Sequence, residues 1–199
     1  MTSKQEEAKE WFGTWAKHYD SFFLGSYLRY WQRKTVDNII TSGKILDVGC
    51  GTGYALEYLQ QKAPKTKLYG IDMTPEMLDI ARVKVPSAEF KEGIVQKLPY
   101  SANTFDYVFS CEAFHHYEHQ LQSLQEMQRV CKKEGTVIIT DPECFFRSIH
   151  WVFEHFEPGC VRVNTKTELK TLFEKVGFHH ITQERIGLFG VITKGKKIL

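Results

Sequence analysis

The chain has no apolar run long enough to span a membrane, which excludes a transmembrane helix. No secretory leader pattern opens it, and its five cysteines (50, 111, 131, 144 and 160) include no Cys-x-x-Cys pair. An odd cysteine count without a leader implies reduced thiols and a cytoplasmic location. The histidines and cysteines show no metal-ligand spacing either, so no metal site is expected. Charge of one sign is also lacking: the net value is +2, too small to suggest a nucleic-acid binder. There is no internal repeat, low-complexity segment or linker. A chain of 199 residues, 42% hydrophobic and 25% charged, therefore reads as one globular domain with a real core. The basic tail Lys194-Gly195-Lys196-Lys197 reads as a solvated terminus.

What the chain does have is a glycine turn. Asp47-Val48-Gly49-Cys50-Gly51-Thr52-Gly53-Tyr54 follows the apolar Lys44-Ile45-Leu46 and opens a helical pattern through Ala55, Leu56 and Leu59. Glycine tolerates positive φ and has no Cβ, so such a turn lets a ligand approach the backbone. At the carboxyl end of a first strand it lies where open α/β sheets bind ligands. The spacing departs from the dinucleotide fingerprint, because Ala55 falls one place too late for the third small residue.

Around the turn, strands and helices alternate. Helices are predicted over 3–18, 22–41, 54–63, 75–85, 119–131 and 166–176, with Pro64, Pro86 and Gly177 as stops. Thr74 and Pro75 read as N-cap and first helical residue. Strands are predicted at 45–48, 68–71, 88–92, 104–110 and 135–140, with a closing antiparallel pair over 178–194 that turns near 185–187. The alternation implies an α/β fold, doubly wound around a mostly parallel sheet with right-handed crossovers. Asp72 ends the second strand about 20 residues past the turn, where a carboxylate reaches ribose hydroxyls or caps the next turn.

The run Asp-x-Gly-x-Gly-x-Gly at 47–53 resembles motif I of the class I S-adenosylmethionine-dependent methyltransferases. Three further stretches are similar to the ubiquinone and menaquinone biosynthesis methyltransferase-like group, methyltransferase type 11. They are Leu98-Pro99-Tyr100, Phe105-Asp106-Tyr107-Val108 and His115-His116. Ala16-Lys17-His18-Tyr19-Asp20 and Trp31-Gln32-Arg33 extend the likeness toward the N-terminus. The resemblance implies a seven-stranded Rossmann-like sheet of order 3-2-1-4-5-7-6 over 42–199, with residues 1–41 as a helical lid segment. It implies S-adenosyl-L-methionine as cofactor and methyl transfer to a small or lipophilic acceptor by in-line displacement. Cofactor contacts then fall on Tyr19, Asp47, Gly49, Cys50, Gly51, Gly53, Asp72, Met73, Val95, Gln96, Ser110 and Cys111.

One departure is visible. Relatives usually carry Gly-Asp-Ala where this chain has Gly93-Ile94-Val95, and Ile94 cannot accept a hydrogen bond from adenine. Gln96 or a backbone carbonyl then takes that part, or the base is held by apolar contact. His115 and His116 follow the fourth strand and are the candidate general bases; their other reading is loop shaping. Tyr19 is a lid residue or a core tyrosine. Phe145, Phe146, Trp151, Phe153 and Phe156 form an acceptor cover or ordinary packing. Ser110-Cys111-Glu112-Ala113 lacks the Asn-Pro-Pro-Tyr or Pro-Cys of nucleic-acid methyltransferases. A regulatory protein that binds the cofactor without catalysis is the alternative of another class.

Overall fold

A computed structural model describes residues 3–20, 25–40, 43–143 and 147–198, without the side chains of 147, 148 and 153. Seven strands form one sheet in the order β3-β2-β1-β4-β5-β7-β6. They are β1 (Lys44–Val48), β2 (Lys67–Asp72), β3 (Glu89–Glu92), β4 (Phe105–Cys111), β5 (Cys131–Pro142), β6 (His179–Ile186) and β7 (Gly190–Lys196). Strands β1 to β5 pair in parallel, and β7 runs antiparallel to both neighbours. The expected order and the doubly wound class are therefore present.

Helices cover both faces, which is why β1 and β4 read as continuous apolar runs. On one face α5 (Gln120–Val130) and α7 (Lys166–Val176) bury Leu124, Met127, Leu169 and Phe173 against Val108, Val137 and Val191. On the other, α2 (Gly25–Asp37), α3 (Tyr54–Lys62) and α4 (Pro75–Lys84) bury Trp31, Val36, Leu56 and Leu78 against Ile45, Phe109 and Ile138. Helix α1 (Lys4–Tyr19) begins in a capping box between Ser3 and Glu6. Helix α7 begins in another, between Thr165 and Glu168, and ends at Gly177 with φ 91°.

Four expectations need correction. Residues 147–156 form a helix, α6 (Arg147–Phe156), where the sequence suggested only an aromatic stretch. Strand β5 starts at Cys131, not 135: Phe105 pairs with Cys131, then the register shifts and Tyr107 pairs with Thr136. A bulge absorbs the extra residues, with Glu134 at φ 60°. The final hairpin turns at 187–189 and its second strand runs to Lys196. The basic tail is solvated only at Lys196. Lys194 Nζ donates to Asn38 Oδ1 at 2.7 Å, and Lys197 is buried. Its ammonium reaches the Gln128 and Cys131 carbonyls at 2.9 and 2.8 Å, closing the C-terminal end of α5 as a cationic cap does.

Candidate functional site

At the carboxyl ends of β1, β2 and β4 lies a cleft of about 860 Å³, counted to its open mouth. It sits where the strand order reverses, the general position for ligands in such sheets. One wall is the glycine turn. Gly49, Gly51 and Gly53 all have positive φ, at 73°, 49° and 78°. The amides of Gly49 and Cys50 both donate to the Ile71 carbonyl, at 2.8 and 3.1 Å. A Cβ on Gly49 would lie 2.6 Å from Ala113 Cβ and 3.0 Å from the Tyr117 hydroxyl, so only glycine passes there. A Cβ on Gly51 would meet nothing within 4 Å, which leaves bare backbone facing the cleft.

Asp72 organises this wall. Its Oδ2 accepts from the Gly51 amide at 2.8 Å and its Oδ1 from the Thr74 amide at 2.9 Å. Thus the turn-capping part foreseen for Asp72 is real, and each oxygen keeps a lone pair for a ligand. Thr74 itself makes no side-chain cap, although Pro75 stands at the first helical position as predicted. Burial raises the Asp72 pKa despite these amides.

The predicted cofactor residues divide by location. Tyr19, Gly49, Cys50, Gly51, Asp72, Met73, Val95, Gln96 and Cys111 line the cleft. Asp47 does not: it is 2% exposed on β1, behind the turn, its carboxyl pushed up by burial and then by Asp72. Gly53 lies at the start of α3, where a Cβ would sit 3.1 Å from Ala81 Cβ. Its smallness serves helix packing. Ser110 is buried one layer back. Its hydroxyl lies 2.9 Å from that of Tyr117, which donates to the Val48 carbonyl at 3.0 Å. Sequence reasoning missed Tyr117, a cleft residue pinned by that pair.

Helix α1 crosses the mouth through Gln5, Phe12 and Tyr19. Its C-terminal Asp20 clamps it to the turn: Oδ1 accepts from Thr52 Oγ1 at 2.8 Å, and Oδ2 meets Lys84 Nζ at 2.6 Å. Ile94 lines the cleft and is partly exposed. Beside it, Gln96 is buried and its Oε1 has no hydrogen-bond partner among the described residues.

The opposite wall is charged. A short 3-10 turn at Phe114–His116 follows β4 and places the two histidine rings 4.1 Å apart. His115 Nδ1 lies 2.8 Å from Asp141 Oδ1, near the end of β5. Its Nε2 faces Glu157 Oε1 at 3.4 Å, and His116 Nε2 faces the same oxygen at 3.8 Å. Folding thus assembles a potential metal-ligand group, His115, His116 and Glu157, where sequence spacing showed none. Burial lowers the His115 pKa, but the carboxylates of Asp141 and Glu157 outweigh it and raise the group well above its usual value. Burial and the neighbouring His115 charge depress His116 to about 3.

Of the two candidate bases, only His116 lines the cleft; His115 stands behind it. The His115 carbonyl accepts from the Val161 and Arg162 amides, at 2.9 and 3.1 Å, so this residue also shapes the loop. Glu112 was overlooked. It lines the cleft at φ 59°, a strained conformation for a side chain of this kind, and its Oε2 is buried without a partner among the described residues. Burial raises its pKa well above the carboxylate range. Its position just past a central strand was the available signal. Glu157 follows α6 and offered none.

The aromatic cover is not seen. Trp151 and Phe156 are 54% and 74% exposed and do not line the cleft; Phe145 and Phe146, and the Phe153 side chain, lie outside the described residues. No helix among the described residues is long and apolar enough to cross a membrane.

Comparison with known proteins agrees with this architecture. Residues 46–139 match the family described as methyltransferase domain. The demethylmenaquinone methyltransferase of Chlorobaculum parvum is 40% identical over 99 residues, covering 50% of this chain and 41% of that protein. The ubiquinone/menaquinone biosynthesis C-methyltransferase of Citrifermentans bemidjiense is 32% identical over 155 residues, covering 71% and 65%. The chain therefore spans well under the full length of these relatives. Among solved structures, a Haloferax volcanii protein in complex with the Trm112 methyltransferase activator superposes with a TM-score of 0.82 at 20% identity, covering 94% of this chain and 98% of that one. An Aquifex aeolicus S-adenosylmethionine-dependent methyltransferase gives 0.69 at 26% identity, covering 87% and 93%. Residues 46–139 therefore carry a methyltransferase domain, and the strand order and the glycine turn around it are those of an S-adenosylmethionine-dependent methyltransferase fold.

Proposed function

We propose that this protein transfers a methyl group from S-adenosyl-L-methionine to a small or lipophilic acceptor, with a hydroxylated aromatic ring as the first class to test. The observation that carries this reading is the cleft itself: bare glycine backbone on one wall, and on the other a buried carboxylate and imidazole. The residues fit the donor. The open face of Gly51 suits an amino acid end, the spare lone pairs of Asp72 suit vicinal hydroxyls, and the unpartnered Gln96 Oε1 suits an adenine amino group in place of the acid that Ile94 replaces. Contacts by Tyr19, Met73, Val95 and Cys111 complete that set.

When bound, the donor supplies a methyl already activated by sulfonium charge. The protein's part is then to align the acceptor, exclude water and take a proton. Alignment near 3–3.5 Å supplies about 7–11 kcal/mol. Helix α1 is the lid in this reading, held shut by Asp20 on Thr52 and Lys84. Glu112 is the best-placed base, since it lines the cleft and its raised pKa moves it toward the pH at which a carboxylate accepts protons efficiently. His116, held neutral and weakly basic, orients the acceptor. The relatives named for demethylmenaquinone and for ubiquinone/menaquinone C-methylation support a lipophilic ring as acceptor.

Calorimetric titration with S-adenosylhomocysteine tests the donor site, and transfer of labelled methyl to a panel of quinols and phenols tests the acceptor. Glu112→Gln is expected to lower kcat about a hundredfold while donor Kd stays within about twofold. An unchanged kcat would remove Glu112 from the mechanism, and absence of donor binding would remove the reading.

A further inference from the structure

The charged wall and the layer behind it hold more ionisable groups than a methyl acceptor needs. Glu112, Asp141 and Glu157 bring three carboxyl groups around two buried imidazoles. Glu112 is close enough to feel the charges of His115, Asp141 and Glu157. Several polar atoms there have no hydrogen-bond partner among the described residues: Glu112 Oε2, His115 Nε2, His116 Nδ1, Asp141 Oδ2 and Glu157 Oε2. Buried polar atoms are rarely left so. Both histidines are more than nine-tenths buried.

The distances have a meaning of their own. His115 Nε2 and His116 Nε2 stand 3.4 and 3.8 Å from the same Glu157 oxygen, and the three ligand atoms lie within 4.8 Å of one another. These gaps are too long for good hydrogen bonds. The shorter gap equals a coordination edge, since two ligands about 2.1 Å from a tetrahedral ion lie about 3.4 Å apart; the longer one must close by a few tenths of an ångström when an ion binds. Moreover, His115 Nδ1 is engaged by Asp141 Oδ1 at 2.8 Å. That is how metal-bound histidines are usually held, with the second ring nitrogen donating to a carboxylate and the first left free for the ion.

We propose that His115, His116 and Glu157 bind a first-row divalent cation of the zinc type, with Asp141 orienting His115. Two imidazoles and one carboxylate form a catalytic rather than a closed structural set, because one position stays open. His116 is shared between this group and the cleft, which Glu112 also lines. The open position takes an oxygen of the acceptor and lowers its pKa; this role, unlike the site itself, rests on the methyl-transfer reading.

The test uses the full chain purified without a histidine tag and without chelators. Elemental analysis is expected to find about one equivalent of zinc, iron, manganese, cobalt or nickel in total. After chelator treatment, Co²⁺ titration should give visible d–d absorption that saturates near one equivalent. Glu157→Gln should abolish that band, and Asp141→Asn should weaken Co²⁺ binding by about 10–100-fold. Each variant is checked by circular dichroism and by S-adenosylhomocysteine binding, since neither Asp141 nor Glu157 lines the cleft. Less than about a tenth of an equivalent of metal in the parent protein, together with no Co²⁺ band, overturns the proposal. So does a well-folded Glu157→Gln variant that binds Co²⁺ as tightly as the parent. If the variants fail to fold, metal content and the parent titration decide alone.

Discussion

The turn wall and the charged wall of the cleft handle their buried polar groups differently. On the turn, the amides of Gly49 and Cys50 share Ile71, the Gly51 amide has Asp72, and the Tyr117 hydroxyl has Val48 and Ser110. Past β4, Glu112 in the cleft and Asp141 and Glu157 behind it each keep an oxygen without a partner among the described residues. The first wall is pre-set: its shape exists before any ligand arrives, so binding there costs little ordering. The second is unfinished, and a ligand or ion that supplies positive charge or donors completes it. Gln96 is the exception on the pre-set side, and its free Oε1 marks where a donor group is expected.

The strongest way to break the contrast is to spoil the pre-set wall. Gly49→Val forces a β-branched side chain to φ 73° and drives Cβ into Ala113. Donor affinity by calorimetry is expected to fall by about a hundredfold or more. Retained affinity would show that the turn is not the binding surface. Next comes Asp72→Ala, which removes the acceptor of two turn amides as well as the carboxylate offered to the ligand. A loss of about tenfold or more in donor binding is expected, from charge-assisted hydrogen bonds of about 1.5–3 kcal/mol each; unchanged affinity would overturn the ribose assignment.

Asp20→Ala should act more mildly. It releases Thr52 and Lys84, but the carboxylate is 41% exposed, so solvent screens much of the ion pair. A rise of about two- to fivefold in donor KM with kcat nearly kept is the expected result. A larger drop in kcat than in affinity would make closure part of the chemical step. The smallest effect belongs to a control at a residue that does not line the cleft. Glu168→Ala removes the α7 capping box and should cost about 1 kcal/mol of stability at pH 7. Burial opposes ionisation of Glu168, but the Thr165 amide and Arg162 outweigh it and hold its pKa near 2, below the ordinary 4.5. A carboxylate with a depressed folded pKa stabilises above 4.5 and loses that contribution as pH falls toward 2. Urea denaturation at several pH values should therefore show the difference between variant and parent narrowing over that window, with donor affinity unchanged at pH 7.

The pre-set wall was legible in the sequence because it is local. Three glycines at fixed spacing and an acid at the next strand end specify a turn that needs no distant residue to be recognised. The strand order followed from resemblance, and the alternation of elements agreed with it. The other wall was not legible, because it draws on β4, β5 and the stretch after α6, and only topology brings these together. His115 and His116 looked equivalent as neighbours, yet a 3-10 turn sends one to the cleft and the other behind it. Helix α6 was missed because its aromatic residues suggested a cover, although two of them face solvent. Asp106, in the Phe-Asp-x-Val stretch, proved structural: it accepts from the Lys44 amide and pairs with Lys132 at the far end of the strands.

The sheet order has a kinetic consequence. Strand β6 touches the rest of the sheet only through β7, which is made after it and slots between it and β5. During synthesis the five parallel strands can assemble first, leaving the outer edge of β5 bare until the hairpin arrives. An unpaired edge is a template for other chains. A nascent or truncated protein stalled before residue 190 is thus a species prone to self-association, and chaperone demand should peak over that interval of elongation.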